Sequence, residues 1–297
     1  MFAEFTQEKI AVSHATLNVR YGGSGPPLLL LHGHPRTHMT WSRVAPLLAT
    51  RFTVVCPDLR GFGRSSKPAD APDHAGSAKR AKAQDCVELM QALGFSRFAI
   101  AGHDRGSYTA YRAALDYPAV ITRLAVLDCV PILEALERCN ETFARQWYHW
   151  FFFAQQEKPE RAILADPDAW YGGRPPQMND EEYADYHRAI HDPATVHGML
   201  EDYRAGLTID REHEAADRAA GRKIRCPTLC LWSERDDLID LYGDVLAIWR
   251  RWADDVQGGP IPSGHHMAEE APEALALALT RFFAPWRQPL RAPSPEE

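Results

Sequence analysis

The chain has 297 residues, of which 45% are hydrophobic, and its formal net charge is −7. This length allows one large core, formed either by a single domain or by a domain with an insertion. The mild acidity, without long runs of Lys or Arg, argues against nucleic acid and anionic membranes as partners. No apolar run approaches the roughly 18 residues of a membrane helix, and the first twelve residues do not resemble a signal peptide. We therefore expect a cytoplasmic protein that binds a small molecule.

Four short apolar runs in the first half of the chain indicate strands. They are residues 27–31 (PLLLL), 52–56 (FTVVC), 98–101 (FAIA) and 124–127 (LAVL). Residues 81–93, between the second run and the third, have the apolar spacing of a helix. Short apolar strands that alternate with helices are typical of an α/β protein with a mostly parallel sheet.

The pattern changes between about Pro131 and Ala215, where strand signals disappear and aromatic residues accumulate, as in WYHWFFF at 147–153. The alternation returns afterwards, with strands predicted at 228–232 and near 259–262 and helices at 246–252 and 268–283. We therefore predict an α/β core made of residues 1–130 and 216–297, interrupted by a helical cap at 131–215. A polar, proline-bearing stretch predicts a frayed tail from about residue 287.

Six cysteines are scattered along the chain, and several lie in apolar runs that resemble strands. Small buried thiols pack like hydrophobic side chains. We expect free thiols rather than disulfides or metal ligands at Cys56, Cys86, Cys129, Cys139, Cys226 and Cys230.

Residues 100–106 (IAGHDRG) have the frame of a strand-to-helix nucleophile elbow, with Asp104 at the central position. Gly102 and Gly106 give the backbone room for such a turn. A carboxylate there can attack an sp³ carbon and form an ester, which must then be hydrolysed by an activated water. The alternative is an ordinary aspartate at a helix N-terminus.

A histidine late in the chain is the candidate base for that hydrolysis. His265, in SGHH at 263–266, follows a predicted strand and stands where the third member of a catalytic triad occurs in this order. The residues leave two candidates for the acid that orients it. Asp128 ends the strand after Asp104, and Asp236 follows the strand after the cap.

The stretch LHGHP at 31–35 places a glycine at the end of a buried strand, as in oxyanion holes. The backbone N–H groups of His34 and Arg105 are the candidate donors. The histidines in this region lack partners at the spacing of metal ligands. His187 and His191 lie one helical turn apart without the glutamate of a zinc protease helix, so we expect a solvated helix face and no metal site.

Taken together, HGHP, DLRGFGRS (58–65), GHDRG and SGHH resemble the α/β-hydrolase superfamily over nearly the whole chain. An aspartate nucleophile narrows the resemblance to dehalogenases and epoxide hydrolases. The haloalkane dehalogenases and epoxide hydrolases usually have tryptophan after it, whereas this chain has Arg105. An arginine there suits a substrate with its own carboxylate, and GHDRG resembles the fluoroacetate (haloacetate) dehalogenases.

Two segments of the cap extend this resemblance, namely Tyr148-His149-Trp150 and the stretch EDYRAG at 201–206. In that family, side chains at these positions donate hydrogen bonds to the departing halide. By position these are His149, Trp150 and Tyr203. The resemblance also implies Asp128 as the triad acid and no metal or organic cofactor. A homodimer is common for such folds.

Two positions depart from the family pattern. A second arginine normally follows the first by three residues, where this chain has Tyr108. We expect Tyr108 to face the substrate carboxylate, and either Arg112 or Arg36 could compensate for the missing guanidinium. The other departure is Asp236, which could replace Asp128 as the partner of His265.

Three functional hypotheses follow from these residues. The first is a dehalogenase of short 2-haloacids that acts through an ester on Asp104. The second is an epoxide hydrolase with the same nucleophile, in which Tyr203 or Tyr148 protonates the alkoxide. The third is a binding or signalling module that has a hydrolase-like fold but no catalytic activity.

Overall fold

The computed structural model describes residues 2–284, so the predicted tail from about residue 287 lies outside the described residues. Its strands are β1 (Thr6–Val12), β2 (Ala15–Gly23), β3 (Pro27–Leu31), β4 (Thr53–Pro57), β5 (Phe98–His103), β6 (Ile121–Leu127), β7 (Thr228–Ser233) and β8 (Val256–Ile261). Within the described range they form one sheet of eight strands in the order β1-β2-β4-β3-β5-β6-β7-β8. β1 and β2 pair antiparallel to their neighbours, and the remaining pairs are parallel. The predicted α/β architecture is confirmed.

Helices cover both faces of this sheet. The helices of the core are α1 (Val44–Ala49), α2 (Lys79–Ala92), α3 (Arg105–Asp116), α12 (Leu238–Tyr242), α13 (Val245–Trp249), α14 (Met267–Glu270) and α15 (Pro272–Phe283). The packing of β3 shows why the central strands are apolar along their whole length. Leu29 and Leu31 pack into the cluster that contains α2 and α3, whereas Leu28 and Leu30 pack into the cluster that contains α1 and α15. Both faces of each central strand are therefore buried.

Only helices occur between β6 and β7 in the described structure. They are α4 (Ile132–Glu137), α5 (Glu141–Gln146), α6 (His149–Phe153), α7 (Lys158–Ala165), α8 (Pro167–Tyr171), α9 (Asp180–His191), α10 (Pro193–Ala205) and α11 (Arg211–Ala219), with a π turn at Gly206–Asp210. We call Ile132–Ala219 the helical insert. Its assignment as a separate cap with boundaries at 131 and 215 remains a prediction.

Most predicted elements are present, with shifts of a few residues at their ends. The structure also contains a hairpin that was not predicted, and it divides one predicted helix in two. The hairpin of β1 and β2 has no counterpart in the sequence-based prediction, because β1 lies at the sheet edge and its side chains are mostly exposed. The single helix predicted at 268–283 is wrong. It is divided at Ala271, which has φ −138° and ψ 55°, because Pro272 disfavours helical geometry in the residue before it.

The cysteines are free, and Cys56, Cys86, Cys129 and Cys230 are buried as expected. Cys139, in contrast, is exposed. No helix among residues 2–284 has the length and hydrophobicity required to cross a membrane.

The turn from β5 into α3 requires glycine because the helix begins against the end of β3. A Cβ atom added at Gly106 would lie 2.5 Å from the carbonyl oxygens of both Leu31 and His32. Since these oxygens belong to backbone that is fixed in the sheet and the loop after it, they cannot move aside as a flexible side chain would. The identity of residue 106 therefore sets how closely α3 approaches the sheet.

We expect Gly106→Ala to lower the free energy of unfolding by about 1–3 kcal/mol, because the added methyl group overpacks this contact. Urea denaturation measures the change. Gly259→Ala is the matched control, since a Cβ atom there meets nothing within 4 Å. Equal stability of the two variants would contradict the close approach of α3 to β3.

Candidate active site

Asp104 lies at the tip of the turn between β5 and α3, with φ 48° and ψ −121°. This backbone conformation is rare for a residue with a side chain, and such strain is concentrated at functional sites. The backbone N–H of His34 donates a hydrogen bond to Asp104 Oδ1 at 2.6 Å. Arg105, the other predicted oxyanion donor, is the first residue of α3, where N–H groups have no partner within the helix.

The electrostatic surroundings keep Asp104 ionised. Burial alone would raise its pKa, but the positive charges of His265 and Arg105 lower the pKa below its usual range. His265 Nε2 lies 4.0 Å from Asp104 Oδ2. The nucleophile candidate and the base candidate, 161 positions apart in the sequence, are therefore neighbours, with the carboxylate in the form that can attack carbon.

His265 contacts both candidate acids through the same ring nitrogen. Its Nδ1 lies 2.8 Å from Asp128 Oδ2 and 2.9 Å from Asp236 Oδ2. Asp128 is buried and accepts hydrogen bonds of 3.0 Å from the backbone N–H and the hydroxyl of Ser233, whereas the Asp236 side chain is 26% exposed. Burial alone would lower the pKa of His265, but hydrogen bonds to these two carboxylates raise it well above its usual value. The imidazole is thus held by a pair of acids.

The side chain of Arg105, the residue after Asp104, is buried. Its Nε donates to Asp202 Oδ2 at 2.5 Å, and its Nη2 donates to the Asp202 carbonyl oxygen at 3.0 Å. The guanidinium carbon lies 4.1 Å from the ring centre of Tyr203 and 4.9 Å from that of Tyr108, as in cation–π contacts. Nη1 is buried and has no hydrogen-bond partner among residues 2–284. Arg105 therefore retains donor capacity for an anion.

The two arginines that could have compensated for Tyr108 are already paired. Arg36 makes a buried, two-pronged contact with Glu269, with Nε 2.8 Å and Nη2 3.2 Å from its carboxylate oxygens. Arg112 contacts Asp217 and also lies 3.2 Å from Asp116. Both guanidinium groups are held by carboxylates, and neither lines the cavity that contains Asp104, which argues against a second substrate clamp from either of them.

Asp104 and His265, the candidate nucleophile and base, line one cavity of about 210 Å³. It is lined by Asp104, Tyr108, Asp128, Gln146, Trp147, His149, Trp150, Asp236, Asp237 and His265. Tyr203 packs beside this cavity, with its ring centre 5.9 Å from that of His149 and 6.4 Å from that of Trp150. The structure thus brings the three predicted halide donors together. Tyr148 is 54% exposed, so Tyr203 is the better placed of the two tyrosines considered as proton donors.

Three residues near the cavity were not identified from the sequence. Trp147 stacks on Trp150 with ring centres 5.3 Å apart, and its Nε1 donates to Asp237 Oδ2 at 2.7 Å. Burial and the adjacent Asp236 raise the pKa of Asp237 to about 6. Asp202, which holds Arg105, is part of EDYRAG, but nothing in that motif indicates an ion pair with a residue 97 positions earlier.

The remaining histidine candidates have other partners. His32 Nε2 accepts a hydrogen bond from the backbone N–H of Leu59, and His38 Nδ1 lies 2.7 Å from Asp58. The half-exposed His187 and His191 lie 3.6 and 3.4 Å from Asp168, close enough for the three to share a metal ion. His103, Asp128 and His265 have a similar spacing in the site itself.

The paired contact on His265 predicts that both acids contribute to its pKa. We expect Asp128→Asn and Asp236→Asn each to lower the pKa of His265, because each removes one neighbouring negative charge, and the double variant to lower it furthest. Histidine titration by NMR measures these values. Asp240→Asn, which changes an exposed carboxylate, is the control. If one single variant reproduced the whole effect of the double variant, a single acid would hold the imidazole.

Comparison with known proteins agrees with this geometry. A model of the alpha/beta hydrolase fold matches residues 26–272. The chain is 41% identical to a fluoroacetate dehalogenase from a Burkholderia species, with 96% of this chain and 95% of that protein covered. It is 31% identical to a soluble epoxide hydrolase from Corynebacterium sp. (strain C12), with 97% and 100% covered.

The fold also matches a crystal structure of an alpha/beta hydrolase from Nostoc sp. PCC 7120 with a TM-score of 0.92 and 43% identity, covering 96% of this chain and 99% of that one. These similarities extend over nearly the whole length of each protein. The chain is therefore a member of the α/β-hydrolase fold family, and the resemblance of its sequence to the fluoroacetate dehalogenases is confirmed.

Proposed function

We propose that this hydrolase removes halide from short 2-haloacids such as haloacetate, through an ester on Asp104. The observation that carries the proposal is the buried Arg105 immediately behind the nucleophile, with Nη1 left without a partner among the described residues. A buried guanidinium N–H without an acceptor is costly, and the carboxylate of a substrate would satisfy it. The 41% identity to a fluoroacetate dehalogenase supports the same substrate class.

In the first half of the reaction, an oxygen of Asp104 attacks the carbon that bears the halogen. The new C–O bond forms as the C–halogen bond breaks, and the halide leaves with the bonding electron pair. His149, Trp150 and Tyr203 donate hydrogen bonds to the halide. Their clustering beside the cavity supports this role, because a poor leaving group such as fluoride needs several donors at close range.

In the second half, His265 removes a proton from a water molecule, which attacks the carbonyl carbon of the Asp104 ester. The His34 and Arg105 backbone N–H groups stabilise the oxyanion, and the ester C–O bond then breaks to release a 2-hydroxy acid. The negative charge of Asp104 raises the pKa of His265 in the free enzyme. Ester formation removes that charge and therefore lowers the pKa of His265. More of the imidazole is then neutral and able to accept a proton from water.

The second candidate function is epoxide hydrolysis, which the similarity to a soluble epoxide hydrolase favours. Asp104 would then open the epoxide ring, and Tyr203 would protonate the alkoxide. Burial and the charge of Asp104 raise the pKa of Tyr203 well above its usual value, so its hydroxyl retains a proton to donate. This reaction does not require the carboxylate anchor at Arg105, and for that reason we rank it second.

Release of halide from fluoroacetate, chloroacetate and a neutral 1-haloalkane, assayed in parallel, tests the proposal. We expect release from the acids only, and a loss of at least about a thousandfold in Asp104→Asn, because removing a nucleophile that acts in concert with a base costs this much or more. His265→Gln should accumulate the ester on Asp104, detected by mass spectrometry of the intact protein.

Diol formation from epoxides without halide release would favour the second candidate. Full activity of Asp104→Asn would contradict both enzymatic functions. If no ester formed on Asp104 with any haloacid or epoxide, the protein would instead be a binding or signalling module.

A further inference from the structure

Arg105 belongs to a buried group of charges that we call the Asp202 cluster. Its members are Lys79, Lys82, Arg105, Asp202 and Asp210, each of which is at most 2% exposed. Three cations here face two carboxylates. Buried charges are normally matched by partners, and the third positive charge of the cluster faces the ionised Asp104 through Arg105.

The contacts show how the charges are shared. Lys79 Nζ lies 3.0 Å from Asp202 Oδ1 and 3.2 Å from Asp210 Oδ2, so it has a carboxylate of its own. Lys82 contacts Asp202 Oδ1 but not Asp210, and its Nζ lies 4.9 Å from the ring centre of Phe62. Arg105 takes the other oxygen of Asp202. The charge of Asp202 is thus divided among three cations.

We propose that Lys82 makes the site selective for anionic substrates, although it does not line the cavity. Lys82 shares Asp202 Oδ1 with Lys79, and together they keep Asp202 from fully neutralising Arg105, which remains cationic towards a substrate carboxylate. Lys82 is a positioning residue that acts through Asp202, and this inference rests on the function proposed above. Without Lys82, the charge of Asp202 would be divided between Lys79 and Arg105 only, and the attraction of Arg105 for an anion would be weaker.

The charge on Lys82 depends on pH within an accessible range. Burial and the neighbouring Lys79 and Arg105 lower its pKa to about 8, against the opposing effect of Asp202. Among the described residues, the other charged or titratable groups near it are Asp210 across the cluster, Asp85 and Cys86 on α2, and His32 directly after β3. Asp85 is paired with Arg60, and burial lowers the pKa of His32 below its usual value.

A lysine whose pKa is lowered to about 8 is charged below that pH and neutral above it. The attraction of the cluster for an anion is therefore present near pH 7 and lost as the pH rises through about 8. Asp237, whose pKa is raised to about 6, has already ionised at that point. His265, which lines the same cavity and has a raised pKa, also loses its positive charge as the pH rises. The contribution of Lys82 is therefore the difference between the pH profiles of the wild type and of a variant without the Lys82 charge.

The test compares wild-type protein with Lys82→Met, which removes the charge and keeps a similar length of apolar chain. Binding of acetate, a carboxylate that cannot react, is measured by calorimetry between pH 6.5 and 9.5, together with kcat and KM for chloroacetate. At pH 7 we expect the acetate Kd and the KM to rise on the order of tenfold, as for the loss of a nearby charge in a partly screened site. We expect kcat to change by less than about twofold and the two proteins to converge at pH 9.5.

Lys67→Met is the matched control, because Lys67 is a partly buried lysine outside the Asp202 cluster that donates to the carbonyl oxygens of Gly63 and Ser65. It should bind acetate as the wild type does. Lys82→Met combined with Asp202→Asn removes one charge of each sign, and we expect acetate binding to recover in it. A residue that only supports packing would not be rescued in this way.

Equal acetate affinity in wild type and Lys82→Met at pH 7 would overturn the inference, as would wild-type affinity that does not change between pH 7 and 9.5. If Lys82→Met does not fold, Lys82→Gln, which also removes the charge, takes its place in the comparison. Failure of the proposed function has a different signature, namely no halide release from chloroacetate by the wild type. Acetate binding that depends on Lys82 would remain measurable in that case.

Discussion

The close approach of α3 to the end of β3 is the constraint on which the site depends. Because Gly102 and Gly106 leave no room for side chains at this crossing, the chain turns sharply between β5 and the helix, and Asp104 takes a strained backbone conformation at the tip. The same turn brings the Asp104 carboxylate within hydrogen-bond distance of the His34 N–H. Packing of the backbone thus places the Asp104 carboxylate in the cavity, with one of its oxygens accepting the hydrogen bond from His34.

Charges around Asp104 alternate in sign with increasing distance from it. Arg105 and His265 lie closest and keep its pKa low, and each is held in turn by carboxylates, Asp202 for the arginine and Asp128 with Asp236 for the histidine. In a buried site each charge needs a partner, and the partner also fixes the orientation of the side chain. The outer carboxylates therefore set both the orientation of the two cations and the strength of their electrostatic effect on Asp104.

The helical insert contributes the aromatic residues Trp147, His149 and Trp150 that line the cavity, and it also supplies part of this charge pattern. Tyr203 and Asp202 are consecutive residues of α10, and they place a ring on the guanidinium of Arg105 and a carboxylate on its Nε. α10 begins at Pro193, after Asp192 caps it by accepting a hydrogen bond from the Ala194 N–H. Because one helix carries both contacts, the insert cannot move relative to the core without changing the surroundings of Arg105.

The parallel strands, the strand-to-helix turn at Asp104 and the family resemblance could be predicted from the residues alone, because apolar runs and motif residues are local properties of a chain. It did not reveal the edge strand β1, whose exposed residues lack an apolar run. Three sets of contacts were visible only in the folded chain. His265 contacts two acids, Arg36 and Arg112 pair with carboxylates, and Lys82 shares Asp202 with Arg105. The physical reason is that an ion pair depends on distances between side chains far apart in sequence, and these distances exist only after the core and the insert have packed together.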